Sequence, residues 1–364
     1  VIETNRGCPY GCTFCDWGAA TQQKIHLFGL DRVREEIAWI AEQRIPVLFI
    51  ADANFGILER DVAIAEHVAS LRARHGFPKE VIVSYAKDGS ERIAEIVRIM
   101  VSAGVVAEGV ISIQSTSPEV LRAVRRTNIP TKSYEKLVAA YRREGLAVTT
   151  DLMVGLPGST VASHVADLQW CLDEDLVARC FPTVVLPNSP MGAPEELETH
   201  RIRTAGPGIV TATATLSEGE LAEVWGLVRM YEIAEKGTLL RYVLRHLQWE
   251  HGLPAAELLH SLACAVQRSP ERFPEYLRGL DRNATLAGVL RDGDAFYAAV
   301  WRHVREVHGV ALGSAADRVV WHLNAAVVPR RGASYPMEVE APFDVLGYFA
   351  SGVAPRAGER RVLE

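Results

Sequence analysis

The fold is decided in residues 1–15, which read VIETNRGCPYGCTFC. The β-branched start indicates a strand, and a loop containing Gly and Pro follows it directly. Three thiols lie on this loop, those of Cys8, Cys12 and Cys15, in the spacing C-x3-C-x2-C. Closely spaced cysteines on one loop are typical of a site that binds a metal ion or an iron–sulfur cluster.

Beyond this loop, short apolar runs alternate with amphipathic helical stretches up to about residue 187, which is the pattern of a parallel sheet covered by helices. The predicted strands are Val1–Asn5, Val47–Ala51, Val81–Tyr85, Gly109–Ile113, Val148–Val154 and Thr183–Leu186. The predicted helices are Leu30–Gln43, Glu59–Arg74, Glu91–Ser102, Ser133–Arg143 and Val161–Asp173. Six such units are too few for a closed eight-stranded barrel. We therefore expect an α/β fold with a partial (βα)6 TIM-like barrel, whose carboxyl strand ends carry the site.

The composition changes after this array. Pro and Gly are frequent between residues 187 and 208, and a mostly helical pattern runs from Ser217 to about Val310. We predict a barrel core at 1–190, a loop-rich crossing at 191–216 and a mainly helical C-terminal region at 217–364.

Charge and hydropathy exclude some classes of partner. Lys and Arg number 39 against 45 Asp and Glu, a net charge of −6, which gives no general basic field for nucleic acid or an anionic membrane. The sequence has no apolar run near the roughly 18 residues of a membrane span and no signal peptide. We expect a cytoplasmic protein that binds neither nucleic acid nor a membrane.

Two further features of the sequence indicate whether the protein is secreted and whether the chain is a fragment. Cys171, Cys180 and Cys264 stand apart from one another, unlike the framework of a secreted disulfide protein. The chain begins at Val1 in a strand-like run without an initiator Met, so we expect it to be a fragment of a longer protein.

Three cysteines are one ligand short of the four that saturate a [4Fe–4S] cluster or a structural zinc site. A missing ligand leaves one coordination position open to a substrate. Two alternatives remain at this point: three buried structural cysteines, or a zinc site completed by a distant histidine such as His26.

The motif C-x3-C-x2-C, with the aromatic Phe14 directly before the third cysteine, resembles the signature of the radical S-adenosylmethionine (SAM) superfamily. Residues 3–18, ETNRGCPYGCTFCDWG, and residues 186–191, LPNSPM, resemble its cobalamin-dependent class. The resemblance implies a partial (βα)6 barrel and a [4Fe–4S] cluster on Cys8, Cys12 and Cys15. SAM would bind the open iron and be cleaved to methionine and a 5′-deoxyadenosyl radical.

In the cobalamin-dependent class, methylcobalamin commonly supplies a methyl group to the substrate radical. The chain contains no D-x-H-x-x-G cobalamin motif, so we expect cobalamin to be bound through a domain upstream of Val1.

The resemblance also implies a set of cofactor-binding residues along the barrel. These are Phe14, Asp52, Asn54, Ser112, Gln114, Arg126, Gly155 and Pro187.

Asp52 and Asn54 follow the second strand, where many members have a Gly-Gly-Glu run that contacts the methionine amine. An Asx-turn explains these two residues equally well. On the fourth strand Ser112 and Gln114 alternate with apolar residues, so both polar side chains share one face. A ribose hydroxyl is a suitable partner for them.

Arg126 matches a family arginine that pairs with the methionine carboxylate, although an arginine at the end of a basic helix is an alternative. Gly155 follows the fifth strand, where the family places adenine against the backbone, and Pro187 with Asn188 would close the adenine pocket.

The leading hypothesis is a cobalamin-dependent methyltransferase that acts on an unactivated carbon of a specialised metabolite or peptide. A reductase or a flavodoxin-type protein would donate electrons. The alternatives are a cobalamin-independent radical SAM methylthiotransferase or oxidoreductase, and a noncatalytic zinc-binding scaffold. No residue is assigned a catalytic role at this stage.

Overall fold

The computed structural model of the protein describes residues 1–21, 23–87, 90–106, 109–326, 328 and 344–350. The chain divides into two compact units, Val1–Leu221 (unit 1) and Ala222–Glu364 (unit 2). The strands are β1 (Asn5–Arg6), β2 (His26–Leu27), β3 (Val47–Phe55), β4 (Glu80–Tyr85), β5 (Gly109–Val110), β6 (Val148–Val154), β7 (Val177–Pro182), β8 (Arg203–Ala205) and β9 (Ile209–Ala212).

The helices of the described residues up to 199 lie in unit 1. They are α1 (Asp16–Ala20), α2 (Leu30–Glu42), α3 (Arg60–His75), α4 (Ser90–Ser102), α5 (Pro118–Ala123), α6 (Thr131–Arg143), α7 (Val161–Asp173) and α8 (Pro194–Thr199). The later helices are α9 (Glu218–Tyr231), α10 (Arg241–His251), α11 (Ala255–Arg268), α12 (Glu275–Arg278), α13 (Arg282–Val289), α14 (Gly293–His308), α15 (Ala315–Ala326) and α16 (Val345–Ala350).

Parallel pairing connects successive strands of unit 1. Strand β3 pairs with β4, and β5 pairs with β6, which pairs with β7. Ile2 forms a parallel bridge to Ile50 of β3, and Val106 forms one to Glu80 of β4, three residues before β5 begins. The order of the strands in space therefore follows their order in the chain. This is a partial parallel barrel, and the predicted fold class is confirmed.

Helices α2, α3 and α4 cover β3 and β4. Because Val33, Ile37 and Ile40 recur at helical spacing, the sequence predicts one buried face on α2, and all three side chains are buried. They join a cluster that includes Leu48 and Ile50 of β3. Burying each such side chain contributes about 1.5–3 kcal/mol, so this cluster fixes the strands that carry the site.

The first strand is shorter than predicted. Ile2 hydrogen-bonds to the backbone of β3, but Asn5 and Arg6 pair antiparallel with β2. The backbone N–H groups of Thr4 and Asn5 donate to the carboxylate of Asp52, at 2.7 and 3.2 Å, instead of to a neighbouring strand. A side-chain acceptor thus replaces the strand ladder at this point.

The position predicted for the sixth strand is wrong, because the strand lies about one strand length earlier in the chain. The strand that pairs with β6 is β7, at Val177–Pro182 rather than at Thr183–Leu186. Val184 instead forms an antiparallel bridge to Ile209 of β9. The apolar run after residue 182 has the stronger strand pattern, whereas β7 contains Arg179, which reads from sequence as an exposed charge.

Helices dominate the described residues from 218 to 326, as the sequence predicts. The predicted domain limits at 190 and 217 stay predictions. Among the described residues, none of the helices combines the length and apolar character needed to cross a membrane.

Candidate functional site

The three cysteines of the C-x3-C-x2-C motif lie between β1 and α1, and Cys15 is the N-cap residue of α1. Cys12 is 9% exposed, and Cys8 and Cys15 are partly buried. Burial raises the pKa of the Cys15 thiol, and the neighbouring Cys8 and Cys12 raise it further. A bound metal centre would favour the thiolate form of the cysteines that ligate it.

The spacing of these sulfur atoms separates a cluster from a single ion. Two atoms bound to one zinc at about 2.3 Å can lie at most about 4.6 Å apart. Among the described residues, two groups of three ligand atoms lie within 4.8 Å of one another, and the cysteine trio is not one of them. The trio therefore fits the separate iron atoms of a [4Fe–4S] cluster better than one zinc ion.

Backbone hydrogen bonds hold the loop. The N–H group of Thr13 donates to the carbonyl of Val124 (3.0 Å), and the N–H of Met191 donates to the carbonyl of Thr13 (2.8 Å). Gly7 has φ +113°, and a Cβ there would lie 2.1 Å from the carbonyl oxygen of Lys24. Only glycine fits at this position.

Two of the predicted site residues donate hydrogen bonds to the cysteines. The Asn54 amide nitrogen lies 3.1 Å from the Cys8 sulfur, and Arg126 Nη1 lies 4.0 Å from the Cys12 sulfur. Arg126 Nε also donates to Asn128 Oδ1 at 2.8 Å, which orients the guanidinium. Hydrogen bonds to sulfur stabilise thiolates and tune the potential of a cluster.

Asp52 binds the chain just before the cysteine loop. Its carboxylate accepts hydrogen bonds from the N–H and hydroxyl of Thr4 and from the N–H and side-chain amide of Asn5. Burial raises the pKa of Asp52. The Asx-turn alternative is therefore replaced by a longer-range contact, and the predicted contact of Asp52 with SAM stays a prediction.

Neighbouring strands place a polar network on the partly buried face of the barrel. The Ser112 hydroxyl donates to Asp151 Oδ2 (2.6 Å), and Arg179 Nε donates to Asp151 Oδ1 (2.7 Å). Sequence reasoning missed Asp151 and Arg179 as site residues. The available signal was the alternation of β6, in which Asp151 lies on the less buried face.

Gln114 lies beside this network in an unusual backbone conformation. Its φ is +67°, its N–H donates to the carbonyl of Asp151 (2.8 Å), and its carbonyl accepts from Met153 (2.9 Å). Ser112 and Gln114 are both partly buried while Ile111 and Ile113 are buried, but β5 ends at Val110, short of the predicted Ile113, so their shared face stays a prediction. A non-glycine residue at positive φ is uncommon and often marks a functional position.

The remaining predicted site residues have different surroundings. Phe14 packs against the buried cluster of Val120, Val124 and Leu156. Gly155, directly after β6, has φ +88°, a conformation that favours glycine. Pro187 lies exposed in a turn after β7. The roles of these three residues toward SAM stay predictions.

Comparisons with known proteins agree with this geometry. Residues 2–171 match the family model described as the Radical SAM superfamily. The chain is 36% identical over 272 residues to 2-(S-pantetheinyl)-carbapenam-3-carboxylate methyltransferase of Streptantibioticus cattleyicolor, covering 69% of this chain and 40% of that protein. It is 35% identical over 272 residues to the cobalamin-dependent radical SAM methyltransferase TokK of Streptomyces tokunonensis, with the same coverage.

A weaker similarity, 28% over 170 residues, is to the ribosomal protein uS12 methylthiotransferase RimO of Kineococcus radiotolerans, covering 44% of this chain and 34% of that protein. The match spans only 40% of the length of the two methyltransferases. The family match includes the cysteine loop and the strands from β1 to β6. With its three-cysteine loop at the head of a partial parallel barrel, the chain belongs to the radical SAM superfamily.

Proposed function

We propose that the whole protein is a cobalamin-dependent radical SAM methyltransferase that methylates an unactivated carbon of a small molecule. The cysteine loop carries this proposal, because three thiolates at the barrel leave one iron of a [4Fe–4S] cluster without a protein ligand. The names of two relatives, both methyltransferases and one cobalamin-dependent, support the step from radical chemistry to methyl transfer.

The proposed cluster ligands are Cys8, Cys12 and Cys15. The residues around them fit an anionic cluster, since Asn54 and Arg126 both direct N–H groups at its sulfur ligands. When bound, the cluster and SAM supply a 5′-deoxyadenosyl radical, and cobalamin held by a domain outside this chain supplies the methyl group.

The side chains of this chain bind SAM and orient it. Arg126, fixed by Asn128, binds the carboxylate of SAM with a planar pair of donors. Ser112 and Gln114 face the ribose, and Asp151 holds the Ser112 hydroxyl in place. Asn54 retains the interaction with the methionine amine that the sequence predicts. These contacts place SAM against the cysteine loop before any bond is broken.

The substrate and the electron donor are part of the proposal. A relative whose name specifies a carbapenam carboxylate favours a small specialised metabolite over a peptide. A reductase or a flavodoxin-type protein is the proposed electron donor.

The test uses the full-length protein with its cluster reconstituted anaerobically. With SAM and a reductant, we expect 5′-deoxyadenosine, and with methylcobalamin and substrate, S-adenosylhomocysteine and a methylated product. Replacing Cys12 with Ala should abolish the iron–sulfur absorption and reduce SAM cleavage to background. Cys180→Ser is the matched thiol control and should retain both. SAM cleavage that persists in Cys12→Ala would refute the proposed ligand set.

Methylthio transfer is a second candidate function, because the chain shares 28% identity over 170 residues with a methylthiotransferase. The product distinguishes the two reactions. A product that gains a methylthio group, formed without cobalamin, would favour the second candidate over the first.

A further inference from the structure

Helices α9 and α11 of unit 2 bring a carboxylate, an imidazole and a thiol together. Glu223 lies on α9, and His260 and Cys264 lie four residues apart on α11, so both face the same side of that helix. Their ligand atoms all lie within 4.8 Å of one another. His260 Nε2 is 2.6 Å from Glu223 Oε1.

Two donors converge on the one carboxylate. The His260 ring and the Cys264 thiol both donate hydrogen bonds to Glu223, so their protons occupy the space between the three groups. A carboxylate, an imidazole and a thiol whose ligand atoms converge in this way offer three protein ligands to one cation.

We propose that Glu223, His260 and Cys264 bind one Zn²⁺ ion, with water in the fourth position. Thiolate, imidazole and carboxylate are the three side-chain groups that zinc takes in proteins, and zinc prefers tetrahedral sites with ligands of these types. The proposal is independent of the radical chemistry of unit 1.

Zinc binding releases one proton from the site and moves a second proton within it. The Cys264 thiol releases its proton to solvent as the sulfur–zinc bond forms. The His260 proton moves from Nε2 to Nδ1, which frees Nε2 for the metal, and Glu223 keeps its charge. Zinc bonds of about 2.0–2.1 Å put tetrahedral ligand atoms roughly 3.3 Å apart, so the 2.6 Å contact between Glu223 and His260 opens by a fraction of an ångström.

The site is open to an ion from solvent. The side chains of Glu223 and His260 are 29% and 25% exposed, which leaves an entry path and room for the water ligand. On the same helices Gly226, three residues after Glu223, leaves room for the Gln267 side chain. Because Glu223 lies on α9 and the other two ligands lie on α11, a zinc ion would cross-link the two helices at the level of Glu223.

A second group in unit 2 has similar residue types but needs no metal. Asp317 Oδ2 accepts the N–H groups of Gly313 and Ser314, both at 2.8 Å. Its Oδ1 accepts hydrogen bonds from His246 (2.9 Å) and His251 (2.7 Å). Both carboxylate oxygens are thus fully used in binding the start of α15, so the zinc proposal is confined to the first group.

The test uses the full-length protein with its [4Fe–4S] cluster in place, dialysed against Zn²⁺. We expect one zinc per chain whose X-ray absorption shows one sulfur ligand at about 2.3 Å and nitrogen or oxygen ligands at about 2.0–2.1 Å. Cys264→Ser should remove the sulfur ligand and weaken zinc binding at least tenfold, and His260→Ala should weaken it similarly. His322→Ala, an exposed histidine of the same unit, is the matched control and should bind zinc as the wild type does.

Thermal unfolding gives a readout that does not depend on absorption. Zinc should raise the melting temperature of the wild type and of His322→Ala, and it should raise that of Cys264→Ser by clearly less at the same zinc concentration. Failure to bind zinc, zinc bound with three sulfur ligands at the cluster loop, or binding unaffected by Cys264→Ser would each overturn the proposal. None of these outcomes bears on SAM cleavage, so the two proposals fail separately.

Discussion

Asp52 in unit 1 and Asp317 in unit 2 are both buried carboxylates, 1% and 0% exposed, and each accepts hydrogen bonds from four donors. The donors to Asp52 are backbone amides, a hydroxyl and a side-chain amide, all neutral, from Thr4 and Asn5. Burial raises the pKa of Asp52, and these neutral donors do not overcome it.

The pKa of Asp317 is shifted in the opposite direction, downwards. Burial alone would raise its pKa, but hydrogen bonds from Gly313, His246, His251 and Ser314 together lower it. The backbone N–H of Gly313 makes the largest of these contributions, and two of the other donors are the rings of His246 and His251. Two buried aspartates that each accept four hydrogen bonds thus have pKa values shifted in opposite directions, so the number of hydrogen bonds alone does not decide whether a buried aspartate is an acid or an anion.

Removing the carboxylate of Asp317 tests how much its four hydrogen bonds stabilise unit 2, and this change should have the largest effect on stability. Asp317→Ala leaves two backbone N–H groups, the buried His246 and the partly buried His251 without their acceptor. We expect a loss of about 4 kcal/mol in the unfolding free energy of unit 2. Urea unfolding followed by hydrogen exchange of residues 241–326 measures it. Asp281→Ala, which removes only the N-cap bond to Ala284, should cost about 1 kcal/mol. Equal costs for the two variants would show that the histidine contacts contribute nothing.

A third buried aspartate tests, through pH, whether neutral donors leave the pKa of a buried carboxyl raised. Asp61 accepts only backbone N–H groups, from Gly56 (2.8 Å) and Leu58 (3.0 Å), and burial raises its pKa to about 6. The folded pKa lies above the unfolded value of 3.8, so the stabilisation is complete below about pH 4 and is lost as the pH rises through 6. The full effect is about 3 kcal/mol.

The measurement is the difference in unfolding free energy between wild type and Asp61→Asn from pH 4 to pH 7. The wild type should lose its advantage as the pH rises. Taking the difference cancels the titration of other groups, including His164, whose pKa burial lowers to about 4. A difference that stays constant over this range would contradict the raised pKa.

Changing Asp52 to Asn sharpens the comparison with a smaller expected effect. The new amide nitrogen would face the amide nitrogen of Asn5, which now donates to Asp52 at 2.6 Å, so one hydrogen bond is lost and two donors oppose each other. We expect a loss of about 2 kcal/mol and faster hydrogen exchange at residues 2–6. Asp31→Asn on the exposed start of α2 is the control, with an effect within about 0.5 kcal/mol.

Replacing Asp151, a carboxylate in the proposed SAM site, should affect ligand binding more than stability, unlike replacing Asp52 or Asp317. Asp151 is 18% exposed in its pair with Arg179, so Asp151→Asn should cost less than about 1 kcal/mol of stability. SAM affinity should nevertheless fall about tenfold, because the Ser112 hydroxyl loses its strong acceptor. Calorimetric titration of the cluster-loaded protein with SAM checks this. Unchanged affinity would remove Asp151 and Ser112 from the proposed site.

Sequence reasoning predicted the parts of the fold that depend on local pattern. The cysteine loop, the parallel barrel and the buried face of α2 all follow from periodicity and spacing, and the structure confirms them.

The failures involve contacts between residues distant in sequence. Strand β7 was not predicted, and the pairing of its Arg179 with Asp151 on the neighbouring strand is not visible in the sequence. A local turn was the alternative for Asp52, but its carboxylate binds Thr4 and Asn5, which precede the cysteine loop. The Glu223 group could not be found either, since nothing in the spacing between α9 and α11 shows that the two helices meet there.

The hydrogen bonds of Thr13 also constrain the order of events during biosynthesis. Its N–H waits for the carbonyl of Val124 and its carbonyl waits for the N–H of Met191, both far along the chain. While the protein is still emerging from the ribosome, its three cysteines therefore lack the supports that give the loop its final shape. The loop therefore reaches its final shape only once the chain has been synthesised past residue 191, so the first motif of the sequence depends on residues made much later.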